Sequence, residues 1–324
     1  MRRKTKYTLL AMAGAGCYGT NPLFTLPLYA LGLGVNSVLF YRYLFAVIIF
    51  GMWVTFYKKI SLKVSWRQVR VLIPMGFVYA LSSLTLFMSY NYIDAGIAST
   101  ILFVYPILVA VMMSLFYHEK TSQKTIVSIV LMSIGIALFY KGEPGKTLNL
   151  WGVALVLLSA LSYALYMVGI KKNKALRKTH YSVISFYVMF FCIFVYLFNL
   201  KFGLDLQMLH TPLAWTCIAA LAVIPTIVSL ETMTVSIKII GPTLSAIIGA
   251  LEPVTAVFFG VLVFHEHLSL RIMVGIVLIL MAVFLTVLKQ KPAKHSKKQL
   301  SAALEGNCES TAVPKGNCDL TAVK

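Results

Sequence analysis

Four ionisable side chains fall inside or at the edge of long apolar runs in this 324-residue chain: Arg42, Asp94, Glu231 and Glu252. An ionisable group at membrane depth costs several kcal/mol unless it is paired or wetted, so each marks a candidate solute or ion pathway. At about 1.5 Å of rise per residue, Arg42 lies roughly 9 Å in from one face and Glu252 roughly 16 Å in from the other. Across a hydrocarbon core of about 30 Å, their depths differ by only about 5 Å, so an ion pair between them is allowed. Glu231 lies roughly 10 Å from the same face as Glu252. Asp94 sits at a helix boundary and reaches water. Two chemistries fit such groups: exchange of a proton or solute at a carboxylate, or ion pairs that fix helix packing.

Prolines and tyrosines surround these positions. Pro106 and Pro253 each remove a backbone donor and push the preceding residue away from helical geometry. Both fall near mid-bilayer, where a helix break exposes carbonyls that can bind a solute or ion; a simple packing kink is the alternative. Tyr18 and Asn21 share one face of the first apolar segment, and Tyr163 mirrors Tyr18 later in the chain. Tyr79, Ser83 and Tyr90 lie along the third segment, and Tyr105 abuts the break. Their polar groups can contact an amphipathic solute in a mostly apolar pocket, although tyrosine also packs between helices and anchors interfaces. Ala11, Ala15 and Gly19, like Ala246 and Ala250, have the four-residue spacing of close helix packing.

His118-Glu119 and His265-Glu266 form two adjacent pairs. They lie on opposite faces, and neighbouring residues cannot by themselves complete a coordination shell. Glu119 and Glu266 are therefore read as gating or helix-end groups, with no metal or cofactor expected. No Walker loop, nucleophile elbow or HExxH motif is present, so neither ATP-driven transport nor proteolysis has its chemistry, and no enzyme activity is expected.

The elements that position these residues follow from composition. Hydrophobic residues make up 59% of the chain and charged residues 12%, against roughly 45–50% and 25% in globular domains. This excludes a soluble enzyme, a disordered protein and a nucleic-acid binder. At about 20 residues per crossing, ten spans fit, over residues 7–31, 36–57, 71–93, 94–117, 124–140, 150–170, 180–203, 213–238, 241–264 and 268–289. The 29 Lys and Arg residues sort by side: 22 lie at the N-terminus and in segments after even-numbered spans, and four lie in the alternate loops. The positive-inside rule then places both termini in the cytoplasm. The charged N-terminus resembles a signal peptide's n-region, but the apolar run behind it is too long and reads as a retained helix. Five scattered cysteines imply no disulfide framework.

The halves of the chain look alike. Pro106 precedes Glu119 by 13 residues, as Pro253 precedes Glu266, and a shift of 147 superposes both. A shift of 145 places Ser37-Val38 on Ser182-Val183 and Tyr18 on Tyr163. Five spans per unit is an odd number, so the second unit inserts upside down, as in inverted-repeat transporters. The expected organisation is a first repeat over 1–147, a second over 148–291 and a flexible cytoplasmic tail over 292–324. The tail itself repeats, Gly306-Asn307-Cys308-Glu309 returning as Gly316-Asn317-Cys318-Asp319.

These features resemble the EamA-like branch of the drug/metabolite transporter superfamily. The resemblance rests on Tyr105-Pro106 through Glu119 to Gly135, on Leu251-Glu252-Pro253-Val254 through Glu266 to Gly275, and on Arg42 in the second helix. It departs where His118 and His265 replace the usual glycine and Tyr18 the usual tryptophan. It implies an all-α polytopic membrane protein of ten helices in two inverted five-helix repeats. It also implies a secondary transporter, foremost an exporter of small metabolites such as amino acids or amphipathic compounds. Uptake, lipid-linked solute flipping and a non-transporting membrane role are the alternatives. The expected partners are a small-molecule substrate, the lipid bilayer and protons as a candidate coupling ion. The expected location is the bacterial cytoplasmic (inner) membrane.

Overall fold

A backbone without water to bond must satisfy its polar groups internally, which in apolar sequence means helices. The computed structural model describes residues 2–93, 95–118, 123–138, 149–249, 251–264 and 270–288, and among them it is all-helical. Asp94, Glu119, Glu266, His265 and the tail lie outside the described residues. The compact unit spans 1–288.

Its helices are α1 (Arg2–Tyr18), α2 (Asn21–Ala30), α3 (Val35–Met52), α4 (Trp66–Ser89), α5 (Ala95–Leu102), α6 (Tyr105–Tyr117) and α7 (Gln123–Ala137). They continue as α8 (Leu150–Lys172), α9 (Tyr181–Asn199), α10 (Pro212–Ala222), α11 (Ser229–Ile239), α12 (Pro242–Ile248), α13 (Leu251–Phe264) and α14 (Leu270–Leu288). A π-type turn, Trp53–Tyr57, extends α3, and a second, Val223–Val228, joins α10 to α11. Among the described residues, five stretches are long and apolar enough to cross a membrane: Val35–Tyr57, Trp66–Ser89, Leu150–Lys172, Tyr181–Asn199 and Pro212–Ile239. Tyr105–Tyr117, Thr125–Gly135 and Met273–Leu285 are shorter apolar helices.

Three of the expected spans are broken rather than continuous. The segment expected as one helix over 7–31 divides at Gly19-Thr20 into α1 and α2. Thr20 Oγ1 turns back to donate to the Cys17 carbonyl at 2.7 Å, and Pro22 in the first turn of α2 has no N–H to continue the ladder. The segment with Pro106 breaks at Phe103-Val104, and the segment with Pro253 breaks after Gly249. Each break precedes its proline by two to four residues. The prolines thus start second half-helices, where a missing donor costs least, instead of kinking continuous ones.

Packing follows a two-fold pattern. Helix α4 packs on α8 as α11 packs on α1, and α4 meets α9 as α10 meets α3. Helix α6 lies against α8 as α13 lies against α1, while α3 crosses α9 and α7 crosses α14. Hydroxyls stitch these contacts inside the apolar body. Ser159 donates to the Ser82 carbonyl at 2.7 Å, Tyr196 to the Ala80 carbonyl at 3.1 Å, and Tyr43 Oη meets Ser83 Oγ at 2.7 Å. Ala11 and Ala15 are buried, as their spacing led us to expect.

Candidate functional site

The breaks and the long helices bring a tyrosine cluster together at the centre of the unit. Tyr105 opens α6, is buried, and donates from its hydroxyl to the Ala246 carbonyl at 3.2 Å. Its ring meets Tyr163 of α8 edge-on at 5.0 Å. Tyr163 lies 6.3 Å from Tyr79 of α4, which is 4.7 Å from Tyr166 and 6.4 Å from Tyr43. Gly249 makes this approach possible: a β-carbon there would lie 1.9 Å from Tyr105 Oη. The small residue at one break therefore seats the aromatic residue that begins the half-helix at the other.

Two ionisable groups flank the cluster. Arg42 of α3 is fully buried. Its Nε donates to Thr226 Oγ1 at 2.5 Å and its Nη2 to the Pro225 carbonyl at 3.4 Å, both in the π-type turn between α10 and α11. The guanidinium carbon lies 5.4 Å from the Tyr43 ring centroid and 5.2 Å from that of Phe87. Nη1 is buried without a hydrogen-bond partner. Glu252 stands in the first turn of α13 and is partly exposed.

The ion pair allowed between Arg42 and Glu252 is not formed. The π-type turn, one residue wider than an α-turn, offers the Pro225 carbonyl and the Thr226 hydroxyl, and these take the guanidinium instead. Tyr18 and Tyr90 lie within electrostatic range of both Arg42 and Glu252, and Tyr105 and Tyr163 within range of Glu252. Arg42 and Glu252 therefore share Tyr18 and Tyr90 as neighbours without touching each other.

The remaining sequence candidates divide. Asn21 begins α2, is 2% exposed, and has neither its amide oxygen nor its nitrogen partnered; Thr25, one turn on, is likewise buried and unpartnered. Ser83 is committed to Tyr43. Tyr90 caps α4 with its ring 5.6 Å from Phe87. Pro106 and Pro253 are buried at the breaks. Glu231 belongs to another cluster: its Oε1 accepts from Ser182 Oγ at 2.5 Å and pairs with Lys58 Nζ at 3.2 Å. Glu119 and Glu266 lie outside the described residues.

Sequence reasoning missed Tyr43, Tyr166, Thr226, Lys58 and Ser182. Pro225 in the middle of an apolar span is the signal that marks the π-type turn, and with it Thr226. Near Ser182, His180 caps α9 by accepting from the Ser182 amide at Nδ1. Burial and then the charges of Lys58 and Lys238 push this imidazole down to about 4. Among the described residues no group of three His, Cys, Asp or Glu side chains is placed to hold a metal ion.

Several known proteins are similar to this chain over most of its length. An uncharacterized transporter of Bacillus subtilis (strain 168), YcbK, is 24% identical over 296 residues, spanning 85% of this chain and 90% of the relative. An uncharacterized transporter of Archaeoglobus fulgidus is 23% identical over 290 residues, spanning 86% and 97%. One solved structure, described as "Crystal structure of protein", shares the fold with a TM-score of 0.69 at 15% identity, covering 88% of this chain and 97% of that one. The sequence profile of the EamA-like transporter family matches twice, over residues 5–141 and 150–288. Two tandem matches over most of its length make this chain an integral membrane protein of the EamA-like transporter family.

Proposed function

We propose that the protein is a secondary transporter that exports small metabolites, such as amino acids or amphipathic compounds, by alternating access. In this reading its ten spans form two inverted repeats, 1–147 and 148–291, with α1 and α2, α5 and α6, and α12 and α13 as discontinuous spans. The basic segments and both termini face the cytoplasm across a bacterial inner membrane. The two-fold pairing of the helices and the matched breaks at Phe103-Val104 and Gly249 support this arrangement.

One observation carries the functional reading. Arg42 is a permanently charged group, fully buried, with no carboxylate among the described residues bonded to it and one nitrogen unpartnered. A buried charge without a counter-ion is costly, so the site favours a solute that brings an anionic group. Glu252, in no ion pair among the described residues, lies across the shared tyrosines, where it can take a proton or the amine of the same solute. Tyr18, Tyr79, Tyr90, Tyr105 and Tyr163 supply the apolar faces and hydroxyls between them, with Asn21 as a further polar contact.

The test is transport of a labelled panel of carboxylates, amino acids and amphipathic amines in proteoliposomes, with and without imposed proton gradients. At least one carboxylate-bearing solute is expected to move, and Arg42→Met is expected to abolish its movement. Movement of amines alone, unaffected by Arg42→Met, would contradict the reading.

A further inference from the structure

Lys58 follows the π-type turn that ends α3 and folds back into a cage made by three helices. Its Nζ lies 3.2 Å from Glu231 Oε1 and 3.2 Å from Ser182 Oγ. The ammonium sits 4.0 Å from the Trp53 ring centroid and 5.6 Å from that of Tyr181. Ser182 spends its only proton on Glu231, so toward Lys58 it can only accept. A carboxylate, a hydroxyl and two aromatic faces around one ammonium are the features by which proteins hold free organic cations.

The cage offers more than Lys58 uses. Glu231 is 8% exposed, and its Oε2 is buried with no hydrogen-bond partner. One turn deeper on α9, Ser185 is fully buried and its hydroxyl is also unpartnered. The Lys58 side chain keeps 24% of its surface exposed, so the occupant enters from the rim on its own tether. Its ammonium joins the end of α3 to the start of α9 and to α11. The opposite end of the α3–α9 pair is closed by neutral groups. There Gln207 accepts from the Gly34 amide at 2.5 Å, donates to the Gly32 carbonyl at 3.3 Å, and its own amide donates to Ser37 Oγ at 3.2 Å. Ser37 is the counterpart of Ser182 under the shift of 145, so equivalent corners carry a charged clasp at one end and an amide clasp at the other.

We propose that Trp53, Tyr181, Ser182 and Glu231 form a binding site for primary ammonium ions, with Lys58 as its tethered ligand. A free primary amine competes with Lys58 for the cage and, on displacing it, releases the clasp between α3, α9 and α11. Hydrogen-bond acceptors on two sides select amines that donate, so a quaternary ammonium of similar size binds less well. The site is separate from the Arg42 and Glu252 cluster and needs no transport to be detected.

The experiment uses the full chain in detergent micelles with Trp66, Trp151 and Trp215 changed to Phe, leaving Trp53 as the fluorescent reporter. With Lys58→Ala, n-propylammonium chloride is expected to give a saturable change in Trp53 emission at constant ionic strength. With Lys58 present, half-saturation is expected to need at least about tenfold more amine, because a tethered group competes at high effective concentration. Adding Glu231→Gln to Lys58→Ala is expected to abolish the response, and tetramethylammonium to bind at least about tenfold more weakly, lacking the hydrogen bonds to the carboxylate. If Lys58→Ala is not recovered folded, Lys58→Gln is titrated and read by the same criteria. No saturable response in a helical, monodisperse variant, or equal responses with and without Lys58 or Glu231, overturns the proposal. Either result leaves the transport reading to its own test.

Discussion

Arg42 Nε donates to Thr226 Oγ1 at 2.5 Å, tying α3 to the π-type turn that interrupts the Pro212–Ile239 span. The same hydroxyl donates to the Leu221 carbonyl at 2.7 Å, five residues back, an acceptor to which Pro225 has no N–H to offer. One threonine thus both satisfies the irregular backbone and orients the buried guanidinium.

Thr226→Val keeps the shape and removes both bonds. Leaving a charged donor and a buried carbonyl unpaired is expected to cost about 2–4 kcal/mol. Thr226→Ser, which keeps the hydroxyl, is expected to stay within about 1 kcal/mol of the wild type, the scale of one lost methyl group. Unfolding of the purified protein in detergent measures both; equal stability of the Val and wild-type proteins would remove Thr226 from this role.

Gly249→Ala tests the approach of the two half-helices. The new methyl group meets Tyr105 Oη at 1.9 Å and the Ala246 carbonyl at 3.0 Å, so thermal stability and transport are both expected to fall. Tyr105→Phe in the same chain removes the nearer atom and is expected to restore part of the loss. Additive effects of the two changes would show that Gly249 and Tyr105 do not share this contact.

His180 gives the fold a pH dependence. The folded protein holds it at about 4, below its ordinary 6.5, so it is neutral in both states above pH 6.5. As pH falls below 6.5 the unfolded chain takes up a proton that the folded chain refuses, and stability declines until the folded imidazole also protonates near 4. His180→Asn keeps an acceptor for the α9 cap without the titration. The fall in thermal midpoint between about pH 7.5 and about pH 5 is expected to be smaller in His180→Asn than in the wild type. An identical fall in both would assign the dependence to other groups.

Topology is open to labelling in a cysteine-free background. Cysteines at Lys146 and Leu270 are expected to react with an impermeant reagent from outside, and cysteines at Lys63 and Lys174 only after the membrane is opened. Labelling that puts both repeats the same way up contradicts the inverted arrangement.

Much of the helical layout was legible in the sequence, because apolar runs and basic loops answer to the bilayer alone. The breaks were only half legible. Pro106 and Pro253 announced theirs, but Gly19-Thr20 reads equally as a close-packing motif, and the division of the first segment needs Thr20 to turn back on Cys17. At the site, the tyrosines of α4, α6 and α8 stood out by their position near the matched prolines. The partner of Arg42 did not, since Thr226 is 184 residues away and no local pattern links them. Similar depth made Glu252 an attractive counter-ion; depth along the membrane normal says nothing about which helices face each other. Lys58 read as one more topological charge, because a long side chain at a helix end can return to a buried carboxylate without any mark in the local sequence.

The measurement that bears most directly on the proposed mechanism compares wild type with Glu252→Gln in proteoliposomes at equal reconstitution. Each is assayed for gradient-driven accumulation and for solute exchange without a gradient. A carboxylate that alternates between proton and solute predicts that Glu252→Gln abolishes accumulation while exchange or binding persists in part. Accumulation against a gradient at the wild-type rate by Glu252→Gln would contradict it.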